Sequence, residues 1–345
     1  MKRRRIIFGA TMAILLSLIA MPTSTFSQSR AIPGSKPADK AIKKIRTTIN
    51  SITPFSTESG FVSLSVDGLG SNAASGIIQV QKPAGATVRK AFMAAASAGF
   101  SGRVLANGDV TINGTGVNWN VVASLPSSIS SSNSLGDVTS IVKPVVDAAP
   151  AGRVDFTITE VSTGGIDGEV LAVIFDDPNQ TVSNTVILLF GAQNIAGDDF
   201  NIGLGAPINT GDPNLKLDLG LGISFSYQVP PGNINQVSIV EVPTGTRLSS
   251  AAGAQDDSDV YPGANGSLLT VGGLDDTNGN PPPFDPPTTG PNIPDDELYN
   301  LIPFVSNGQT QIQVHSQNPS SDDNIFFASL FLGSQTAIVG EGIIL

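Results

Sequence analysis

A chain of 345 residues with a formal net charge of −11 is long enough for one large domain or two ordinary ones. With no cysteine and one histidine, it excludes disulfides, thiolate chemistry and any His-built metal site or triad within one chain. Lys2–Arg5 hold four of the 18 basic residues, so the remainder sets 14 against 29 acidic ones, a net of −15, and the lack of a basic face excludes nucleic acid as a partner.

Met1–Ser27 has the parts of a secretory signal peptide. Lys2–Arg5 form the charged region, Ile6–Met21 the apolar region, and Thr25-Phe26-Ser27 a small-x-small cleavage site. No later apolar run approaches the roughly 18 residues of a spanning helix. The expectation is an exported protein, secreted or at the cell surface, with no transmembrane segment after cleavage. Residues 28–59 form a linker in which Ile42, Ile45, Ile49 and Ile52 recur at helical spacing, predicting one short amphipathic helix. Its lysines suit either a cationic arm for a membrane or acidic partner, or a segment packed on the acidic body.

Strand patterns dominate from Gly60 onward. Phe61–Val66 alternates, and Thr87–Ala96 reads as a buried strand between Gly85 and Gly99. Arg103–Leu105 and Val110–Ile112 flank Asn107-Gly108-Asp109, a hairpin signal. Val117–Val122 reads as a strand carrying the single Trp119, whose alternation with Val117 and Val121 places it in the core. Val186–Phe190 is a continuous apolar run, and Leu215–Tyr227 and Val237–Val242 are further strands. Ser249–Pro294 is irregular apart from Ser267–Val271.

The segment Asp295–Leu332 reads as loop, strand, acidic turn and buried strand, and a weaker version lies at Asp137–Phe175. Thr310, Ile312 and Val314 alternate as Val154, Phe156 and Ile158 do, and Asp323 and Asp167 each precede a buried run. The offset is the same from Val154/Thr310 to Phe175/Phe331, 156 residues, and is read as internal duplication. The predicted fold is all-β: jelly-roll-like antiparallel β-sandwiches in two lobes, 60–180 and 181–345, related by that duplication.

Six Asp-Asp pairs stand out, and adjacent carboxylates repel unless solvated or bound to a cation. After Arg247 there are 12 acidic residues and no basic one. In Asp275-Asp276-Thr277-Asn278-Gly279-Asn280, Asp276, Asn278 and Asn280 fall at i, i+2 and i+4, the spacing that aims oxygens at Ca²⁺. Pro281 and Pro287 occupy the EF-hand glycine and glutamate positions, so a simpler Ca²⁺ loop is the alternative to a solvated turn. The candidate metal ligands are Asp275, Asp276, Asn278 and Asn280. Glu58, Glu160, Glu169, Glu241, Glu297 and Glu341 are available for glycoside hydrolysis, which needs two facing carboxylates, but none sits in a recognisable motif. Tyr227, Tyr261 and Tyr299 join Trp119 as rings on which a sugar could stack, and His315 reads as a surface residue.

Pro83–Ala96 (PAGATVRKAFMAAA), Gly136–Val142 (GDVTSIV), Gly168–Pro178 (GEVLAVIFDDP) and Asn184–Asn194 (NTVILLFGAQN) resemble a β-sandwich domain of unknown function from exported bacterial and archaeal surface proteins. The resemblance covers roughly Phe61–Asn194, and the closing DDELYNL and DDNIFFASLF segments are similar to the ends of related secreted proteins. It implies a jelly-roll-like fold and an extracellular setting, and no activity. The expected function is therefore that of a non-catalytic, structural or adhesive component of the cell surface or extracellular matrix. Its partners would be surface or matrix proteins, or glycans. The alternative is a glycan-binding module or carbohydrate-active enzyme.

Overall fold

The computed structural model describes residues 45–47, 51–70, 73–99, 101–124, 131–162, 164–224, 238–253, 268–280, 297–319, 321 and 323–333. In chain order the strands begin with β1 (Ile45–Thr47), β2 (Thr53–Gly60), β3 (Val62–Leu69), β4 (Ser75–Lys82) and β5 (Thr87–Ser97). They continue with β6 (Val110–Ile112), β7 (Thr115–Gly116), β8 (Val121–Ser124) and β9 (Ser132–Asp137). A helix, α1 (Thr139–Ala148), then precedes β10 (Gly152–Glu160) and β11 (Ile166–Asp176). After these come β12 (Asn184–Phe190), β13 (Gly197–Gly203), β14 (Lys216–Ser224), β15 (Ser238–Glu241) and β16 (Arg247–Ala252). The last described strands are β17 (Leu269–Val271), β18 (Leu298–Asn300), β19 (Gln311–Gln317) and β20 (Asn324–Gly333).

These strands form four sheets. Sheet A has the order β1-β8-β9-β5-β11-β3, and sheet C the order β4-β10-β6-β7. Sheet B runs β17-β14-β20-β12-β2, with β18 also on β14, and sheet D runs β13-β19-β15-β16. The pairing is antiparallel except where β1 lies parallel to β8. Three apolar clusters fix the layers. Ile78, Ile112 and Phe156 of C pack with Met93, Leu171 and Phe175 of A. Phe200, Ile312 and Val314 of D pack with Leu219 and Leu330 of B. Val170 and Ile174 of A pack with Val186, Leu188 and Phe326 of B. The stack is therefore C–A–B–D, an all-β fold of antiparallel sheets.

The layer order explains the two hydrophobic rhythms of the sequence. Strands of A and B are covered on both faces, so they need apolar side chains at every position. Val170–Phe175 and Val186–Phe190 are buried throughout. Strands of C and D are covered on one face and alternate. Phe156, Ile158 and Glu160 are buried in β10 while Asp155 and Thr157 are exposed, and Ile312, Val314 and Ser316 repeat the pattern in β19. Close approach of the inner sheets depends on Gly68, where a Cβ would lie 2.6 Å from Val271 Cγ2. Phe55 of B meets Phe92 of A edge to face, with ring centroids 5.1 Å apart.

The structure departs from the sequence expectations in four places. Ile45–Thr47 and Thr53–Gly60 are strands, so the isoleucine spacing of residues 42–52 does not carry a helix past Ile45. The parallel pairing with β8 overrides the local period. The hairpin turns at Asn113-Gly114, where both residues have positive φ, and joins β6 to β7; residues 103–105 are not in a strand. Val117–Asn120 lies outside the strands on either side of it. The helix α1 was not expected. Its buried face, Val138, Val142 and Val146, has i, i+4 spacing and packs on β5. Asp147 Oδ1 accepts from Val88 N at 2.7 Å, pinning the last turn.

Consecutive strands of each acidic-turn unit lie in opposite sheets: β10 in C with β11 in A, and β19 in D with β20 in B. The order β3-β11-β5 beside β4-β10-β6-β7 recurs as β12-β20-β14 beside β13-β19-β15-β16. The 156-residue offset matches Phe156 with Ile312 and Asp167 with Asp323, then slips by one. In β20, Ile325 and Phe327 pair with the consecutive residues Ile223 and Gly222, leaving Phe326 as a bulge. Beyond it, Leu171 corresponds to Ala328, each facing its own sandwich interior.

Candidate functional site

Glu160 is the last residue of β10, and Glu169 lies in β11 on the facing sheet. Glu160 continues the buried phase of Phe156 and Ile158, which aims it into the C/A interior. Glu169 is flanked on its sheet by Leu69 and Ala95, and Glu160 by Val110. The two carboxyls face the same interior, and each acts on the ionisation of the other. Burial raises Glu160 above the ordinary glutamate range, opposed by the bond to Glu169 and by the charge of Arg103. Burial raises Glu169 well above that range, and the Glu160 charge raises it further. Arg103 also pairs with Asp109, its Nη2 lying 2.8 Å from Asp109 Oδ2, while its Nε is buried without a partner.

The loop after β17 holds the four residues expected to ligate Ca²⁺. Each has a separate partner. Asp275, at positive φ, takes both terminal nitrogens of Arg153 on β10, one at 2.8 Å. Asp276 Oδ2 accepts from Gly273 N at 2.6 Å. Asn278 Nδ2 donates to Asp218 Oδ1 on β14 at 2.8 Å. Asn280 makes a two-way bridge to the backbone of Asn300, 2.8 Å in each direction. The loop is thus fastened to three elements. Among the described residues no group of three or more His, Asp or Glu side chains gathers as a metal site would.

Arg153 also donates to Gln79 Oε1 at 2.7 Å, and Gln79 donates to Asp155 Oδ1 at 2.7 Å. Below this surface chain, burial raises Asp67 to about 6, against the pull of the Gln79 and Gly68 backbone N–H groups. Two further acidic pairs lie among the described residues. Asp177 accepts from Asn179 N at 3.0 Å and Gln180 Nε2 at 2.8 Å. Burial opposes ionisation there, and these donors outweigh it and lower its pKa. Burial raises Asp198 to about 6, while Asp199 lies 2.8 Å from His315 Nδ1.

The remaining glutamates are dispersed. Glu58 pairs with Lys90 at 2.7 Å and Arg89 at 3.3 Å. Glu241 takes Gly245 N at 2.8 Å and Arg247 at 3.4 Å. Glu297, fully buried, accepts from Gly253 N at 2.5 Å, Tyr299 Oη at 3.3 Å and Thr270 Oγ1 at 3.4 Å. Glu341, Tyr227 and Tyr261 lie outside the described residues. Trp119 is buried, its Nε1 donating to Ala106 O at 3.0 Å, and Tyr299 is buried as well. An exposed aromatic is found instead at Phe61, 57% exposed, where the chain passes from sheet B to sheet A. It borders an open depression of about 520 Å³ with Arg89, Asp176 and Gln180.

The Glu160–Glu169 contact was half legible: a glutamate on the buried phase of an alternating strand is a visible anomaly, but its mate is set by sandwich packing. Fold and site together define an all-β protein of stacked antiparallel sheets with a buried acid pair in one sandwich. No protein-family model matches the chain, and a search of curated proteins finds no match. Among the described residues no helix is long and apolar enough to cross a membrane.

Proposed function

We propose that the protein is an exported, non-catalytic structural or adhesive component of the cell surface or extracellular matrix. The observation carrying this reading is the use made of its acidic loops. Asp177, Asp275, Asp276 and Glu241 each hold a turn, a loop or a neighbouring sheet in place. The same reading takes the matching strand orders of the two sandwiches as the trace of an internal duplication. Secreted protein should begin at Gln28 by amino-terminal sequencing. The mature chain, labelled, should bind cell envelopes or matrix proteins saturably and leave polysaccharides intact. Polysaccharide cleavage, or a start at Met1, would overturn the reading.

The rival reading, a glycan-binding module, is favoured by Phe61, a ring exposed beside Arg89, Asp176 and Gln180. Binding to immobilised glycans that is lost in Phe61→Ala would replace the protein-binding reading with this one. Ca²⁺ at Asp275, Asp276, Asn278 and Asn280 is a further proposal. The ion would have to displace Arg153 from Asp275 and the Asn300 backbone from Asn280. A ligand of the folded state alone adds about 2.7 kcal/mol at a hundredfold excess over its Kd. Millimolar Ca²⁺ should therefore raise Tm, and equal melting in Ca²⁺ and chelator would remove the ion from the proposal.

A further inference from the structure

The contact between Glu160 and Glu169 has no part in the surface role just proposed. Glu169 is wholly buried and Glu160 is 5% exposed, so neither can meet a substrate in the closed sandwich. Glu160 Oε2 and both Glu169 oxygens are buried with no hydrogen-bond partner. A carboxylate can only accept. Two bare carboxylates at this range would repel, and the contact is attractive only with a proton between them. The surroundings supply little else. Arg103 acts on Glu160 but also serves Asp109. Asp167, buried two residues before Glu169, adds another acid on β11. The flanking positions on β3, β5 and β6 are Leu69, Ala95 and Val110.

We propose that Glu160 and Glu169 share a proton at neutral pH and form a latch between sheets C and A, closed while the proton is held and loosened when it leaves. The latch sits where β10 turns into β11 through Gly164 and Gly165. Its opening would separate the ends of these two strands first. Folding keeps a proton that the unfolded chain releases near the ordinary glutamate value of 4.5. The latch's contribution is therefore complete below that value and is lost as pH rises toward the higher folded-state value. The D/B sandwich offers the control, because the buried Glu297 there is held by donors from Gly253, Thr270 and Tyr299.

The test uses the full mature chain. Urea unfolding at pH values from about 5 to about 9 gives the folding constant at each pH. The wild type should lose up to about tenfold in that constant per pH unit for each proton released. Glu169→Gln and Glu160→Gln should each flatten the slope. Asp67 and Asp198, also raised by burial, titrate in every variant, so the difference between curves is what counts. Hydrogen exchange should quicken in β10 and β11 at alkaline pH before it does in β19 and β20. Infrared spectra of the folded wild type at neutral pH should contain a protonated-carboxyl band that Glu169→Gln removes. Parallel slopes in wild type and Glu169→Gln would overturn the latch. Should neither variant fold, the wild type decides: a band that persists after Asp67 and Asp198 have ionised supports the latch, and its absence at neutral pH overturns it.

Discussion

In the C/A sandwich, Glu160 on the outer strand faces Glu169 on the inner one. In the D/B sandwich, the same two positions carry Ser316 and Ile325. Ser316 Oγ accepts from Gln193 Nε2 at 2.9 Å and donates to Asp198 O at 3.2 Å. The acids buried nearby also have donors: Asp323 Oδ2 takes Ser238 Oγ at 2.9 Å. Burying a carboxyl without a donor is costly, and the two halves meet that cost differently. In the D/B half, Asp323 and Glu297 take hydroxyl and backbone donors, although Asp198 Oδ2 is buried without one. The other half pairs two acids and depends on a proton. A hydrogen bond from a serine hydroxyl persists at any pH near neutral, whereas a shared proton does not. The comparison teaches that a repeated strand order fixes which positions face the interior, and leaves open whether each is polar and how it is satisfied.

The comparison breaks most sharply if an acid is moved without its support. Ile325→Glu would place a carboxylate beside Ser316 with no paired acid, and should cost about 3–5 kcal/mol at neutral pH, as an unpaired buried charge does. Urea denaturation checks it, and a loss under about 1 kcal/mol would mean that Ser316 and Gln193 can adapt. The reverse change should help. Replacing the pair by apolar residues of similar volume, Glu160→Met with Glu169→Leu, should be neutral or stabilising by about 1–4 kcal/mol at neutral pH. The gain should shrink as pH falls below 4.5, where both acids become protonated in the native and unfolded chains alike.

A third change probes the seam between the halves. Asn133 of sheet A and Asn324 of sheet B exchange amide hydrogen bonds of 3.0 and 2.8 Å, both residues fully buried. Asn133→Ala or Asn324→Ala leaves the partner amide short of a bond and should cost about 1–3 kcal/mol. The double variant should cost less than the sum, giving a coupling that a double-mutant cycle reads directly. The smallest effect belongs to Asp275→Asn. Its link to Arg153 is exposed on both sides, so the change in Tm should be small and should vanish in high salt.

Much of the architecture was legible because layer position writes itself into hydrophobic period. Val170–Phe175 and Val186–Phe190 read as apolar runs and lie in the inner sheets, and the alternating Ile312 and Val314 lie in an outer one. The turn of the β6–β7 hairpin was not. Asn107-Gly108 and Asn113-Gly114 are the same dipeptide, and local sequence does not choose between them. Nor was α1, whose buried valines are four apart but few. The partners of the acidic loop were not legible for a related reason. Spacing aimed oxygens along one short segment, while Arg153 and Asp218, which engage Asp275 and Asn278, come from 122 and 60 residues away. Glu160 was visible as an anomaly, but only the packing of C on A supplied Glu169.

Strand β2 has a consequence for the order in which the chain can be completed. It is made before every strand of the C/A sandwich except β1, yet it hydrogen-bonds to β12 in sheet B. Ser59 waits 126 residues for Thr185, its side-chain partner there. During synthesis the first sandwich can close as soon as β11 emerges, leaving β2 as an unpaired edge at its margin. That edge is a template for strands of other chains until β12 arrives. A ribosome pause between Asp176 and Asn184 would prolong the interval, and a chain cut there would release a first half with one orphaned strand. The two sandwiches are thus linked in time: an early strand of the body waits until the whole first sandwich has been made before its partner appears.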